Sequence, residues 1–221
     1  MKTLFEQEIA HLNELLSRQA TAVENAVRQS LKSIVEKNRE LAIEVIEQDD
    51  IIDAAEVRLE EECLKALALY QPVAGDLRYI VTLLKVNGEL ERIGDLAVNI
   101  AQRALHLYEL PDAGLPTDFN ALLTLVRQSL KQALDSLLTQ DCYLASQVIK
   151  ADDSIDQMHR ENVALMIEWT KQQPQFVDNW IDFLSVSRNL ERIGDGCTNI
   201  GEDVLYLQQG RIMRHLRESD R

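Results

Sequence analysis

The chain has 221 residues, of which 46% are hydrophobic, and its 37 acidic and 23 basic residues give a formal net charge of −14. This length accommodates two modest units that can each bury a core. The negative charge repels the backbone of a nucleic acid, so nucleic acid is not an expected partner. No apolar run approaches the ~20 residues that cross a bilayer, and the first ten residues lack the basic start of a secretory signal. We therefore expect a cytoplasmic protein without membrane insertion.

The predicted elements are helices throughout, because only 8 Gly and 4 Pro interrupt the chain and its apolar residues recur at helical spacing. Asn38 is predicted to end the first helix and to cap a short helix through Val45, and Asp141 stands at the matching place later in the chain. The stripe predicted to be buried in the third long helix begins at Leu77. The long helices are expected at residues 3–37, 49–71, 73–108, 118–139, 152–172 and 174–209.

An internal repeat divides the chain. The segment LERIGD occurs at residues 90–95 and again at residues 190–195, and residues 45–53 align with residues 148–156 at an offset of 103. Three long helices with short connections pack antiparallel to bury their apolar stripes. We predict an all-α protein of two tandem antiparallel three-helix bundles with internal pseudo-twofold symmetry. The predicted boundaries are 1–110 and 118–210 for the bundles, 111–117 for a turn-rich linker and 211–221 for a basic tail.

Pairs of acids four residues apart recur in both repeats. This spacing places two carboxylates on one face of a helix, where they repel each other unless a cation lies between them. Oxygen ligands favour hard cations over zinc, so iron, Mn, Mg and Ca are the candidate metals. The predicted metal ligands are Glu91, Asp95, Asn99, Glu191, Asp195 and Asn199, with Asp49, Asp53, Asp152 and Asp156 on the preceding helices.

A structural role is the alternative for part of this set. Asp49 and Asp152 stand where N-caps are expected, and Asp53 and Asp156 would then favour the positive end of the helix dipole. Capping does not account for acids in the interior of a long helix. The sequence leaves open whether the acids of neighbouring helices meet.

The sequence offers no catalytic nucleophile or base in a known motif. A carboxylate-bridged metalloenzyme on a helical bundle is the rival function. It is disfavoured because no histidine stands three residues after a glutamate, as it does in di-iron bundles. The three cysteines are far apart in the chain and are predicted to be buried free thiols: Cys63, Cys142 and Cys197.

Two segments carry a resemblance to a known family. Residues 71–78, QPVAGDLR, followed by LERIGD at 90–95 and by Asn99, resemble the PhoU family of phosphate-transport regulators, and the resemblance covers nearly the whole chain. It implies two three-helix bundles. It also implies iron or other metal clusters on Glu91/Asp95 and Glu191/Asp195, with the paired aspartates of the preceding helices.

The resemblance further implies a non-enzymatic negative regulator of phosphate uptake. Such a protein is a cytoplasmic, usually dimeric adaptor between the ATPase subunit of the phosphate ABC transporter and a membrane sensor histidine kinase. Arg78, Arg92 and Arg192 are the predicted partner-binding residues, although Asp178 replaces the expected arginine in the second repeat. An accessory protein of a different phosphate transporter is a further alternative.

Overall fold

The structure is a computed structural model that describes residues 3–116 and 119–210. Every regular element in this part of the chain is helical, as the sequence predicted. The elements are α1 (Leu4–Val35), α2 (Arg39–Glu47), α3 (Asp49–Tyr70), α4 (Ala74–Glu109), α5 (Phe119–Thr139), α6 (Cys142–Gln172) and α7 (Val177–Gln209), with one 3-10 turn at Pro174–Phe176. The predicted basic tail, 211–221, and the predicted helix start at Asp118 lie outside the described residues. Across the described ranges, no helix is long and apolar enough to cross a membrane.

The predicted pair of three-helix bundles is confirmed. Helices α1, α3 and α4, with the short α2, form the first bundle, and α5, α6 and α7 form the second. The bundles join where α4 packs on α7. These two helices run antiparallel, since Arg78 near the start of α4 contacts Leu207 near the end of α7, whereas Arg103 contacts Asp182. The two copies of the repeated motif therefore face each other about the pseudo-twofold axis.

The apolar stripes of the helices form one continuous core. Leu12, Val23 and Val27 of α1 and Ile80 and Leu90 of α4 are fully buried. Burial of such side chains stabilises each bundle by about 1.5–3 kcal/mol per residue.

The start of α4 departs from the predicted buried stripe. Leu77 was predicted to be buried and is 42% exposed. Val73, Gly75 and Asp76 are exposed as well, so the first turn of α4 lies at the surface.

The sequence placed three helix starts correctly, those of α2, α3 and α6, and predicted one start, at Asp152, that does not exist. Asn38 caps α2 by accepting from the Leu41 backbone N–H at 3.1 Å, and Asp141 caps α6 in the same way. The N-cap predictions for Asp49 and Asp152 are wrong. Asp49 is the first residue of α3, and Asp152 lies inside the uninterrupted helix α6.

The two repeats differ at this point. Gln48 separates α2 from α3, whereas Ala151 at the matching position lies within α6. In addition, a Cβ at Gly201 would lie 3.1 Å from the Ala145 carbonyl oxygen, so α6 approaches α7 closely there. The first repeat has Ala101 at the position that matches Gly201.

The three cysteines are free thiols, as the sequence predicted. Burial raises the pKa of Cys63 and of Cys197 to about 12, which keeps both protonated and unreactive near neutral pH. The predicted burial is wrong for Cys142, which is only half-buried because it is the first residue of α6.

Candidate functional site: two carboxylate clusters

One packing contact per bundle brings the predicted acids together. The side chain of Ile52 on α3 fills the notch left by Gly94 on α4, where an added Cβ would lie 3.2 Å from Ile52 Cδ1. Ile155 and Gly194 repeat this contact in the second bundle, at 3.0 Å. Aspartates flank each isoleucine and an aspartate follows each glycine, so this contact fixes the register that sets the acids of the two helices side by side.

The second bundle holds the tighter cluster. One carboxylate oxygen from each of Asp156, Glu191 and Asp195 lies within 4.8 Å of the other two. Asp156 is on α6, whereas Glu191 and Asp195 are one turn apart on α7. A single cation could therefore contact both helices. Among the described residues, this is the one group of three acidic, histidine or cysteine side chains that lie this close together.

The mutual repulsion in the second bundle affects proton binding. Burial, together with Asp195 and Asp156, raises the pKa of Asp152 to about 6, although the neighbouring Thr198 hydroxyl offsets part of the rise. Burial, followed by the charges of Glu191 and Asp156, also raises the pKa of Asp195. Carboxylates that resist ionisation together bind a proton or a cation more readily than isolated ones.

The first bundle repeats this arrangement in a more open form. Burial, and then the charges of Asp53 and Asp95, raises the pKa of Asp49. Burial, and then the charges of Asp95 on the same helix and of Asp53 and Glu56 on α3, raise the pKa of Glu91, so acids of α3 and α4 lie close enough to affect each other. The structure therefore brings together the predicted acids of neighbouring helices in both bundles.

Two buried carboxylate oxygens are consistent with a cation at each cluster. Asp49 Oδ1 and Asp152 Oδ1 are both inaccessible to solvent, and neither has a hydrogen bond of standard geometry within the described residues. A buried carboxylate oxygen without a partner is costly and is commonly explained by an ion or water. The donor set consists only of oxygen, which fits hard cations such as iron, Mn, Mg or Ca.

The two predicted asparagine ligands differ in their surroundings. Asn99 is exposed, whereas Asn199 is half-buried and donates from Nδ2 to Glu89 Oε2 at 3.3 Å. Glu89 belongs to α4 of the first bundle, so this contact crosses the bundle boundary. Glu89 was missed from sequence because it does not belong to the repeated acid pattern. The signal that could have singled out Glu89 is a difference between the repeats, because the second repeat carries the neutral Asn189 at the matching position.

The three predicted partner-binding arginines fall into two groups. Arg78 is half-buried, and its Nε donates to the Leu207 carbonyl at 3.1 Å, so it joins the start of α4 to the end of α7. Arg92 and Arg192 are exposed beside the acidic clusters.

A second charged contact between the bundles was not predicted. Asp182 of α7 is only 2% exposed and receives Arg103 Nη1 at 3.3 Å and His106 Nδ1 at 2.5 Å, both from α4. Nothing in the repeat pattern indicated this contact, because Thr82 stands at the matching position of the first repeat.

Fold and site together define a class: a duplicated helical-bundle protein with a carboxylate cluster on each half. A family model described as the PhoU domain matches the chain twice, at residues 16–104 and 119–204. The chain is 34% identical to the phosphate-specific transport system accessory protein PhoU homolog of Aquifex aeolicus over 95% of each chain. It is 32% identical to homolog 1 of Thermotoga maritima, covering 95% of this chain and 91% of that protein.

Solved structures agree with these matches. The crystal structure of PhoU from Pseudomonas aeruginosa superposes with a TM-score of 0.91 at 31% identity, covering 94% of this chain and all of that one. The phosphate transport system regulatory protein PhoU from Streptococcus pneumoniae gives 0.87 at 25% identity, covering 95% of this chain and 99% of that one. The chain belongs to the PhoU family, whose members are accessory proteins of phosphate-specific transport.

Proposed function

We propose that this protein is a non-enzymatic negative regulator of phosphate uptake and of the phosphate-starvation response. In this role it is a cytoplasmic adaptor, active as a homodimer, between the ATPase subunit of the phosphate ABC transporter and its membrane sensor histidine kinase. Membership of a family of phosphate-transport accessory proteins supports the pathway. The observation that carries the mechanism is the pairing of acids across two helices in each bundle.

Metal binding is part of this proposal. Asp49, Asp53, Glu91 and Asp95 would hold a cation in the first bundle, and their counterparts on α6 and α7 would do so in the second. A bound hard cation, iron or Mn in the first instance, neutralises the repelling carboxylates and ties two helices together. The packing of an isoleucine against a glycine in each bundle holds the acids of both helices on one surface before a cation binds.

The surface around each cluster supports a role in partner binding. Arg92 and Arg192 lie exposed next to the acids, and their guanidinium groups can pair with carboxylates of another protein. The net charge of −14 suits contact with basic cytoplasmic segments close to a membrane. Partner surfaces that combine both signs of charge would be recognised by this arrangement.

The test compares the wild type with a variant that carries Glu91→Ala, Asp95→Ala, Glu191→Ala and Asp195→Ala. Elemental analysis of protein purified without added metal measures bound iron and manganese. A deletion strain complemented with each form then reports repression of phosphate-starvation genes at high phosphate. We expect the wild type to carry metal and restore repression, and the variant to lose both.

A matched control carries Glu61→Ala and Asp135→Ala, which remove two exposed acids outside the clusters. It should behave as wild type. Repression by the four-site variant at the wild-type level would show that this surface is not the regulatory one. Oxygen consumption by the metal-loaded protein would instead favour the metalloenzyme, and deletion without effect on starvation genes would favour an accessory role in a different transporter.

A further inference from the structure

The two carboxylate clusters differ in what the opposite bundle contributes. Glu89 and Glu91 lie two residues apart on α4 and so project from nearly opposite faces of the helix. Glu91 acts on the acids of its own bundle, whereas Glu89 lies against α7 of the second bundle. The second cluster thus has a carboxylate from the first bundle at its edge.

A glycine in α7 lies beside this contact and makes room for Ile93 of α4. A Cβ at Gly196 would lie 3.1 Å from Ile93 Cδ1 and 3.6 Å from Glu89 Oε2. The matching residue of the first repeat is Leu96, which is buried, and the residue matching Glu89 is the neutral Asn189. The first cluster therefore has neither the notch nor the additional acid.

The contact with Glu89 also fixes the orientation of Asn199. An ionised carboxylate only accepts hydrogen bonds, so the amide nitrogen of Asn199 faces Glu89, and its carbonyl oxygen points away from Glu89 within the same amide plane. Asn199 stands one turn after Asp195, on the same face of α7. The carbonyl oxygen, a good ligand for hard cations, is thereby left free of the Glu89 contact.

We propose that Glu89 is a positioning residue for the cluster of the second bundle, and that it makes this cluster the tighter of two unequal cation sites. Its charge adds a carboxylate from the first bundle to Asp152, Asp156, Glu191 and Asp195, and its hydrogen bond holds Asn199 in the liganding orientation. Residues that orient a ligand typically change metal affinity 10–100-fold when they are removed. A cation in this cluster also connects the bundles, since Glu89 and Asn199 come from opposite sides of the boundary.

This inference rests on the proposed cation binding, and one titration tests the two proposals separately. Full-length protein freed of metal with a chelator is titrated with Mn²⁺, and free Mn²⁺ is followed by electron paramagnetic resonance. We expect two classes of site in the wild type, the tighter of which disappears in Glu191→Gln. Glu89→Gln should weaken that class about tenfold or more, and leave the weaker class unchanged.

Glu91→Gln is the matched control, because it removes one acid from the first cluster and should affect only the weaker class. Circular dichroism of each metal-free variant checks that the fold is retained. Unchanged affinities in Glu89→Gln, or two sites of equal affinity in the wild type, would overturn the role of Glu89 while leaving cation binding intact. A wild type that takes up no Mn²⁺ would overturn both proposals.

Discussion

Replacing Asp152 by asparagine should stabilise the metal-free protein and weaken its response to metal. The aspartate is half-buried among Asp195, Asp156 and Asp153, and its pKa is raised from 3.8 to about 6. If fully realised, that difference corresponds to about 3 kcal/mol of folding free energy lost at neutral pH. Partial exposure of the carboxylate reduces the expected effect to about 1 kcal/mol.

The sign of the pH dependence follows from proton binding. The folded protein holds the Asp152 proton more tightly than the unfolded chain does, so the free energy of unfolding falls as the pH rises from about 4 to about 6. The penalty is complete above pH 7 and is about half as large at pH 5. Asparagine does not ionise, so the Asp152→Asn variant lacks this penalty at every pH.

The assay is thermal unfolding with a chelator at pH 5 and pH 7.5. A gain of about 1 kcal/mol raises the melting temperature of a protein of this size by about 2–4 °C, and we expect that shift at pH 7.5 and a smaller one at pH 5. Asp135→Asn, which changes an exposed acid outside the clusters, is the control. With Mn²⁺ in place of the chelator, the variant should gain less stability than the wild type. A destabilised variant at pH 7.5, or a shift independent of pH, would refute the reasoning.

Three further predictions concern packing, the bundle boundary and the thiols. Gly194→Ala should destabilise the protein by about 1–3 kcal/mol in urea unfolding, because the new methyl group would crowd the packed isoleucine. Gly88→Ala, in open space on α4, should stabilise the protein by up to about 1 kcal/mol. Equal effects of the two substitutions would contradict the close packing at Gly194. Asp182→Asn should cost about 1–3 kcal/mol through weakened contacts with α4, and an unchanged urea midpoint would count against that contact. Of the three thiols, a disulfide reagent at pH 8 should modify only Cys142 in the folded protein, and rapid labelling of three would contradict the burial of the other two.

Periodicity and repetition predicted the fold because both are visible in the sequence without knowledge of which helices contact each other. Apolar spacing identified the long helices, and the duplicated LERIGD segment identified the two bundles. The caps at Asn38 and Asp141 were found because a capping side chain contacts backbone only two or three residues away. The same rule failed at Asp152, where a close approach between α6 and Gly201 accompanies an unbroken helix.

The candidate site was predicted in part. Four-residue spacing placed Glu191 and Asp195 on one face of a helix, which follows from helix geometry alone. Their meeting with Asp156 depends on how far α6 is displaced along α7, and the contact of Ile155 with Gly194 determines that displacement. No spacing within either helix specifies it.

The sequence by itself therefore determined that the chain is all-helical, duplicated and acidic at matching positions in both halves. The tertiary structure alone decided that Glu89 reaches the second bundle, that Arg78 meets Leu207 and that Asp182 is buried against α4. The two partners of each contact are about 80 to 130 positions apart along the chain. Helix propensity, capping and periodicity act over a few residues, whereas contacts at such separations arise from close packing of whole helix surfaces.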